Sequence, residues 1–437
     1  MKVLLCQTPT GRREHTVFPL GLAYIAGSIR NHEVLCWDPK IGDAPIADLI
    51  ATLEKFEPDL VGLALRNIDS VICSPGNPPR SYYEPFVSLV KLIKEKAPYA
   101  KLMVGGAGFS IFSKEIMEKN PEIDFGVISE GEPAVPRLLE NLDHPEKVKN
   151  IVARKNGKII FSERENYVNF DSLPPPAREY FDVAKYGKNP FSMGLQTKRG
   201  CVFRCLYCPN PRIVGSVPRL RNPKRVVDEI QEIVNTYDVR EFYFSDTVFN
   251  YPADHAMDIC QEIIRRRLDI KWQADFRPDY MNFKLMKTAV ESGCAQFNFS
   301  PDGTSDEAMQ VLGKNMNVDC VTKTVQWASE IEGAKAGYCF VYDIPSGNMS
   351  QYRGLLKLST KFLPYGRKKI RSFGLTRMRI YPNTPLYELA VRQRKIQPDT
   401  DLIEPVYYSH ASETMAHTLC SLTTGYAEVI RKILFAD

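Results

Sequence analysis

Residues 199–210 read RGCVFRCLYCPN and place Cys201, Cys205 and Cys208 in a C-x3-C-x2-C pattern. The pattern directly follows an apolar segment, SMGLQT at 192–197, that is typical of a β-strand. Three thiolates on one short loop can hold three corners of a cubane iron–sulfur cluster and leave one iron open to a ligand. A structural zinc site would need a fourth ligand, and neither a histidine nor a second cysteine pair lies at a suitable spacing. The motif therefore predicts an iron–sulfur centre with an open coordination position.

The other cysteines stand alone in apolar or mixed segments, where a packed small side chain is the ordinary interpretation. Four of them lie in or near apolar segments of the second half, but their irregular spacing argues against a second cluster. The eight isolated cysteines are Cys6, Cys36, Cys73, Cys260, Cys294, Cys320, Cys339 and Cys420. The N-terminus runs straight into a strand pattern without a signal-peptide pattern, which favours a cytoplasmic location with reduced thiols.

The cysteine loop opens an alternation of strands and helices in the second half of the chain. Helical patterns such as RVVDEIQEIVNTY at 225–237 separate six apolar segments. Six strand–helix units predict a partial (β/α)6 barrel, more open than an eightfold barrel, with its site at the carboxyl ends of the strands. The six predicted strands are 192–197, 240–246, 270–276, 295–300, 335–343 and 372–381.

The first half shows a second alternation. Five short apolar runs alternate with amphipathic stretches such as YEPFVSLVKLIKEKA at 83–97, a pattern typical of a doubly wound, Rossmann-like α/β domain. In such a domain the ligand lies over the carboxyl ends of the parallel strands. The five predicted strands are 2–8, 32–38, 60–66, 100–106 and 124–131.

These patterns divide the chain into four parts. The Rossmann-like domain is predicted at 1–142 and the barrel domain at 191–400. Residues 143–190 read as a connector that contains a strand pair around Asn156-Gly157 and the stiff stretch LPPPAR. A helix-like stretch near the C-terminus predicts a helical cap at 401–437.

Composition excludes several classes of protein. The chain has 437 residues, and 57 Lys and Arg against 52 Asp and Glu leave a formal charge of +5, which is not the basic footprint of a nucleic-acid binder. Hydrophobic residues make up 44%, and no apolar run approaches the roughly 18 residues that a membrane span requires. We therefore expect neither nucleic acid nor a membrane as a partner.

The cysteine loop, with Tyr207 before its third cysteine, resembles the radical S-adenosylmethionine (SAM) superfamily. The resemblance implies a [4Fe–4S] cluster on the three cysteines with SAM chelated to the open iron. It also implies SAM contacts from polar residues at the carboxyl ends of the barrel strands, namely Asp246, Arg277 and Asp302. Asp246 and Arg277 are equally candidates to orient the substrate or to form a barrel salt bridge or a rim contact. Asp302 lies in SPDGTS at 300–305, where relatives often carry a Glu-Ser-Gly-Ser type motif, so its aspartate departs from the family pattern.

The first half resembles the cobalamin-binding domain that is joined to radical SAM domains in a large subfamily. The motifs concerned are PLGL at 19–22, the strand ending at Trp37-Asp38, GGAG at 105–108 and EGE at 130–132. The resemblance implies cobalamin contacts from Gly105, Gly106, Gly108, Glu130 and Gly131. Glycines let the backbone approach a bulky ligand because they lack Cβ, although a Gly-Gly-x-Gly by itself fits a nucleotide site or a tight turn equally well.

The lower face of the cobalamin is expected to lack a histidine. His15 lies in the loop after the first strand without the Asp-x-His-x-x-Gly pattern, so the resemblance implies base-off cobalamin with no histidine ligand. Arg66 and Asn67 end the third strand and are similar to a segment in which an arginine lies beneath the corrin. A guanidinium has no lone pair for cobalt and would favour the electron-rich Co(I) state. Alternatively, Arg66 pairs with Asp69 or with a phosphate of the ligand.

The two resemblances together identify the chain as similar to cobalamin-dependent radical SAM methyltransferases. In that family one SAM methylates Co(I), and a second SAM yields a 5′-deoxyadenosyl radical that removes hydrogen from an unactivated substrate carbon, which then takes the methyl group. Tyr342, Asp343 and Arg377, at the ends of the fifth and sixth barrel strands, are the expected catalytic residues. Each of them, like the neighbouring Arg379 and Tyr381, fits a barrel salt bridge or a rim contact equally well.

The substrate and partners are expected from the same resemblance. The chain ends soon after the sixth unit, which favours a peptide or protein substrate over a small molecule, such as a glutamine of methyl-coenzyme M reductase. A reducing donor such as ferredoxin or flavodoxin is implied. The alternatives are a non-methylating cyclisation, rearrangement or oxidation, methylation of a natural-product precursor, and a non-catalytic cobalamin or SAM sensor.

Overall fold

The computed structural model describes residues 1–10, 14–70, 79–165, 167–345, 350–362 and 369–409. The described part of the first half is built on a seven-stranded sheet with the order β2-β1-β3-β4-β5-β6-β7. The first five strands are parallel and the last two antiparallel. The strands are β1 Lys2–Gln7, β2 Glu33–Trp37, β3 Leu60–Ala64, β4 Lys101–Gly105, β5 Phe125–Val127, β6 Ile151–Lys155 and β7 Lys158–Phe161. The predicted Rossmann-like sheet is thereby confirmed.

The hairpin β6–β7 turns at Asn156 and Gly157, which adopt φ angles of 50° and 74° as a tight two-residue turn requires. It pairs with β5 through Val152 and Gly126. The first sheet therefore continues into the segment predicted as a connector.

Helices cover both faces of this sheet because residues along each strand alternate between the two faces. Leu5 and Met103 pack with α1 and α6 on one face, whereas Leu4 and Leu102 pack with α2 and α3 on the other. The helices are α1 Leu20–Ser28, α2 Pro45–Phe56, α3 Tyr83–Lys96, α4 Ala107–Ile111, α5 Ser113–Lys119 and α6 Ala134–Leu139. Short 3-10 turns follow at Pro145–Lys147, Phe170–Ser172 and Arg178–Tyr180.

The second half contains a six-stranded, fully parallel sheet with the order β15-β14-β13-β12-β11-β8. Six parallel strands in chain order confirm the predicted partial (β/α)6 barrel. The strands are β8 Met193–Leu195, β11 Glu241–Phe244, β12 Lys271–Phe276, β13 Cys294–Asp302, β14 Ala336–Val341 and β15 Ile370–Thr376. A separate antiparallel pair, β9 Lys198–Arg199 and β10 Arg219–Leu220, brackets the cysteine loop.

The helices of this half separate the strands as the sequence predicts. A 3-10 turn at Pro278–Tyr280 follows β12. The helices are α7 Val183–Gly187, α8 Asn210–Val214, α9 Pro223–Tyr237, α10 Ala253–Arg265, α11 Phe283–Glu291, α12 Asp306–Val311, α13 Val318–Glu330, α14 Ser350–Phe362 and α15 Pro385–Arg392.

The barrel strands present buried apolar residues outward and polar residues to the interior, which we call the lumen. In β12, Trp272 and Phe276 are buried, whereas the intervening Gln273 is partly exposed. The strand register places Tyr243, Gln273 and Gln296 in one row across three strands. Amide and hydroxyl groups therefore dominate this part of the lumen.

A buried ion pair joins the two halves of the chain. Arg379 Nε donates to Asp69 Oδ2 at 2.8 Å, and the two side chains are 1% and 0% exposed. Arg379 Nη2 also donates to the Leu402 carbonyl at 2.6 Å. Because neither charge can reach water, the pair is costly to separate and fixes the first sheet against the end of the barrel.

Most of the predicted C-terminal cap lies outside the described residues, which end at 409. Of the cap at 401–437, residues 401–409 are described and contain no helix. Among the described residues, every helix is too short or too polar to span a bilayer.

Candidate functional site

A cavity of about 680 Å³ lies between the two sheets. On one side it meets the carboxyl ends of β1, β3 and β4 through Gln7, Ala64 and Gly105. On the other side it is lined by lumen residues, including Gln196 and Tyr243. The ligand edge of the first domain and the interior of the barrel therefore share one space.

Part of this cavity is an apolar groove between the first sheet and its helices. The sheet contributes Leu5, Gly62 and Met103, and the helices contribute Ile25 and Val135. A Cβ placed on Gly62 would lie 2.9 Å from Leu5 Cδ2 and 3.1 Å from Met103 Cε, so it would project among the side chains that line the groove. The absence of a side chain at residue 62 keeps the groove wide enough for a ligand.

Some of the predicted cobalamin contacts line the cavity, and others do not. Gly105, Gly106, Glu130 and Gly131 line it. Gly106 has a φ of 98°, and a Cβ there would lie 2.6 Å from the Leu65 carbonyl oxygen, so this turn requires glycine.

Gly108 and Asn67 pack together beside the cavity and do not line it. The Gly108 amide donates to the carbonyls of Leu65 and Arg66 at 2.9 and 3.0 Å. A Cβ on Gly108 would lie 2.9 Å from the Asn67 carbonyl carbon. These residues therefore shape the loop after β3 from behind.

Arg66 and His15 both reach the cavity wall with exposed side chains. Asp69, the acidic partner considered for Arg66, forms its ion pair with Arg379. The His15 Nε2–H donates to the Pro190 carbonyl at 2.7 Å, which ties this loop to the segment before the barrel. The sequence pattern predicts a loop histidine, and its position on the cavity wall follows from the fold.

Asp38, at the end of β2, is a buried acidic residue on the same wall. The Tyr186 hydroxyl donates to Asp38 Oδ2 at 2.6 Å, and the Lys40 amide donates to Oδ1 at 2.9 Å. Burial raises the pKa of Asp38 despite these hydrogen bonds. The sequence marks Asp38 only as a strand end and gives no sign of its link to Tyr186.

The cysteine loop lies at the barrel end of the site. Cys201, Cys205 and Cys208 are free and partly buried, and Cys201 lies close enough to raise the pKa of both Cys205 and Cys208, although burial is the larger cause of each rise. Among the described residues, no group of three or more His, Cys, Asp and Glu side chains could hold a single metal ion. Three thiols on one loop, without a fourth ligand, are the donor set that suits a cubane cluster with one open iron.

Buried charges tie both ends of this loop to the first domain. Arg199, paired with Arg219 in the β9–β10 ladder, contacts Glu132 at 2.6 Å and Glu130 at 3.2 Å. Arg219 contacts Glu130 at 2.8 Å. The Arg199 guanidinium also lies 4.3 Å from the Phe170 ring centroid. Glu130, predicted as a cofactor contact, thus also anchors the cysteine loop.

Asp246 holds the strand that leads into the loop. Its carboxylate accepts hydrogen bonds from the Thr197 amide at 2.8 Å and the Lys198 amide at 3.2 Å, and it forms an ion pair with Lys198 Nζ at 3.4 Å. It is 2% exposed and is not among the residues that line the cavity. Its predicted contact with SAM stays a prediction, whereas its contact with the loop backbone is direct.

A second buried cluster contacts the loop from the opposite side. The Tyr207 hydroxyl donates to Asp302, which pairs with Lys314. Burial lowers the pKa of Lys314, but the charge and hydrogen bond of Asp302 together with the nearby Cys205 hold this pKa above its usual value. Arg277 stacks at 3.8 Å from the Phe203 ring centroid and donates to the Lys314 carbonyl. Lys314 has no local sequence signal, since it is a single lysine after a helix.

The predicted catalytic residues lie where the fifth and sixth barrel strands end. Tyr342 and Asp343 follow β14 and are buried, and the Tyr342 amide donates to the Thr376 carbonyl at 3.0 Å. Arg377 lies 5.6 Å from the Tyr407 ring centroid. None of the three lines the cavity between the sheets.

Two protein-family models match separate parts of the chain. The family model of the B12-binding domain matches residues 8–139, and the family model of the radical SAM superfamily matches residues 195–347. An uncharacterised methyltransferase of Pyrococcus horikoshii is 26% identical over 403 residues, covering 90% of this chain and 83% of the relative. Cytidylyl-2-hydroxyethylphosphonate methyltransferase of Streptomyces wedmorensis is 23% identical over 385 residues, covering 75% and 69%.

Solved structures share the fold. The radical SAM methyltransferase TsrM of Kitasatospora setae, solved with cobalamin and a [4Fe–4S] cluster, aligns with a TM-score of 0.73 at 18% identity. The alignment covers 90% of this chain and 78% of TsrM. TsrM solved with its tryptophan substrate and a SAM analogue aligns with a TM-score of 0.76.

Proposed function

We propose that the chain, which matches a B12-binding domain and a radical SAM domain and whose relatives include methyltransferases, is a cobalamin-dependent radical SAM methyltransferase that transfers a methyl group to an unactivated carbon of its substrate. The observation that carries the proposal is the cavity of about 680 Å³ that the cobalamin-binding edge of the first sheet shares with the barrel lumen. A methyl carrier and a substrate carbon must meet in one enclosed space, and this cavity reaches from one domain into the other.

When bound, the cofactors supply the hard chemistry: the cluster delivers an electron to SAM, and cobalamin carries the methyl group. The chain itself would hold the cofactors and enclose the reacting groups. Cys201, Cys205 and Cys208 would hold the cluster, and Arg199 would fix their loop to Glu130 and Glu132 at the cavity wall. The apolar lining excludes water from a reactive carbon centre.

We further propose that cobalamin binds base-off, with its nucleotide tail in the apolar groove beside Gly62. The groove is lined by Leu5, Met103, Ile25 and Val135, and this apolar lining suits the flat aromatic base at the end of the tail, whereas the phosphate and ribose of the tail require polar surroundings. Arg66 on the adjacent wall supports a lower face without histidine, since a guanidinium has no lone pair to offer cobalt.

A graded pair of variants at residue 62 tests the groove. In Gly62→Ala the added Cβ meets only the flexible ends of Leu5 and Met103, so cobalamin binding should be nearly retained. In Gly62→Leu the side chain fills the groove, and we expect at least about tenfold weaker cobalamin binding, a loss of about 1.4 kcal/mol, with a normal cluster absorbance. Equal affinity for both variants would refute a tail in this groove.

The reacting end of the substrate is proposed to be neutral and able to form hydrogen bonds. Tyr243, Gln273 and Gln296 form one row across the lumen, and the Tyr243 hydroxyl donates to Asp275, which burial keeps at a raised pKa. A carboxamide matches these groups, as a glutamine side chain would. The tryptophan of TsrM favours a small molecule over the peptide or the reductase glutamine expected from the sequence. A donor such as ferredoxin or flavodoxin stays part of the proposal, because splitting SAM requires an electron.

The decisive experiment uses SAM that carries a trideuterated methyl group. The anaerobically reconstituted protein, reduced and supplied with candidate small amides and aromatic amino acids, should yield a product heavier by one labelled methyl, together with 5′-deoxyadenosine. A product without the label would support cyclisation or oxidation instead. Absence of 5′-deoxyadenosine under all conditions would favour a sensor.

A further inference from the structure

A second cavity of about 350 Å³ lies beside the first. We call the first the main cavity and the second the side cavity. It is formed by α4, the loop after β5, the segment after β7, and α8, which directly follows the cysteine loop. Ser129 and Ile213 line both cavities, so an elongated ligand in the main cavity has the side cavity as its neighbour.

The side cavity carries two arginines whose charges are not balanced by acidic neighbours. Arg164 Nη1 donates to the Ser129 hydroxyl at 3.0 Å, and Arg212 lies across the cavity on α8. Within the described ranges, neither guanidinium has a carboxylate at ion-pair distance. Glu165 also lines the cavity, but it forms an ion pair with Arg137 at 2.7 Å. The cavity therefore presents a net positive charge.

The remaining lining is polar and matches an anion. Ser110 and Asn150 add hydroxyl and amide groups, and Asn383 closes the wall from the barrel side. Guanidinium groups bind carboxylate and phosphate through paired, charge-assisted hydrogen bonds, which neutral ligands cannot form. The neutral lumen row and this cationic side cavity thus suit a molecule with one neutral, hydrogen-bonding end and one acidic end.

We propose that the side cavity binds an anionic group of the substrate, a carboxylate or a phosphate, while the neutral reacting end lies in the main cavity. This assignment to the substrate rests on the proposed function, whereas the existence of the anion site does not. The substrate class is then a small molecule with one acidic end and one neutral end. An internal residue of a folded protein, which lacks such an acidic terminus, fits less well.

Anion titration tests the site without any turnover. Pyrophosphate and citrate are titrated into the reconstituted full chain by calorimetry, with Arg164→Gln/Arg212→Gln as the test variant. Arg240→Gln, which changes an exposed arginine paired with Asp238, is the matched control. We expect wild type and the control to bind one of the two anions, and the double variant to bind it at least about tenfold more weakly. Absence of binding, or equal binding by the double variant, overturns the site.

The two anions also distinguish the chemistry, because tighter binding of pyrophosphate indicates a phosphate and tighter binding of citrate a carboxylate. The link to the substrate is tested with pairs of each candidate acid and its amide. The double variant should raise KM for the acid and leave kcat unchanged, and it should leave KM for the amide unchanged. Equal effects on acid and amide would overturn the link. If no compound is methylated, the proposed function fails, whereas the titration still decides the anion site.

Discussion

The two ends of the main cavity are held by opposite means. The cysteine loop is fixed by buried charges, with Arg199 contacting Glu132 at 2.6 Å on one side and Lys314 pairing with Asp302 on the other. The wall after β3 instead presents the exposed Arg66 and a set of apolar side chains. A cluster that must deliver an electron to one bound molecule requires a fixed loop, whereas a bulky cofactor requires shape and room. The contrast indicates which substitutions abolish chemistry and which only adjust it.

The largest effect is expected at the cysteine loop. In Cys205→Ala the cluster loses one of three ligands, so we expect complete loss of the iron–sulfur absorbance and of 5′-deoxyadenosine formation, with cobalamin binding retained. Cys320→Ala is the matched control, since that thiol contacts Asn317 and lies outside the C-x3-C-x2-C motif. A cluster retained in Cys205→Ala, or equal damage from both variants, would contradict the assignment of the loop.

The next effect concerns the buried charges that fasten this loop. Arg199→Gln leaves Glu132 buried beside an uncharged side chain, and breaking a buried pair in this way costs about 3–5 kcal/mol. Urea unfolding should show that loss. Arg30→Gln removes a pair with Glu179 whose side chains are each 50% exposed, and it should change stability by less than about 1 kcal/mol. Similar losses in both variants would mean that burial does not strengthen the Arg199 contact.

The same contact should appear in the pH dependence of stability. Burial alone would raise the pKa of Glu132, but Arg199 outweighs it and holds the pKa below its usual value. A carboxylate with a lowered folded-state pKa stabilises the protein above its unfolded pKa of about 4.3, and this contribution is lost as pH falls. Glu132→Gln should therefore be less stable than wild type near neutrality, and the gap should narrow below about pH 4. Glu179→Gln, which changes a side chain that is 50% exposed, is the reference and should change stability little near neutrality.

The comparison also shows what sequence could and could not predict. The cysteine loop and the strands around it follow from local patterns, because ligand spacing and hydrophobic period are properties of neighbouring residues. Glu130 was predicted as a cofactor contact from its motif, and it does reach the cavity. Its pairing with Arg199 and Arg219 joins residues that are far apart in the chain, and no local pattern encodes such a pair.

The partner of Asp69 also could not be predicted from a local pattern. Sequence proximity suggested Arg66, three residues earlier, whereas the fold brings Arg379 to Asp69 from the other domain. Tyr342, Asp343 and Arg377 were correctly placed at strand ends, but the structure does not bring them to the main cavity, so their catalytic roles stay predictions. Lys314 and the arginines of the side cavity were missed, since isolated basic residues resemble ordinary surface positions.

The smallest change in stability is expected at Arg66. Its side chain is exposed, so Arg66→Gln should change the free energy of unfolding by less than about 0.5 kcal/mol. If the guanidinium lies under the corrin, removal of its positive charge should make bound cobalamin harder to reduce to Co(I), because the electron-rich metal loses a stabilising charge. Spectroelectrochemical titration measures that potential, with His15→Gln as the control from the same wall. A reduction potential that shifts in the histidine variant and not in the arginine variant would place His15, and not Arg66, beneath the cobalt.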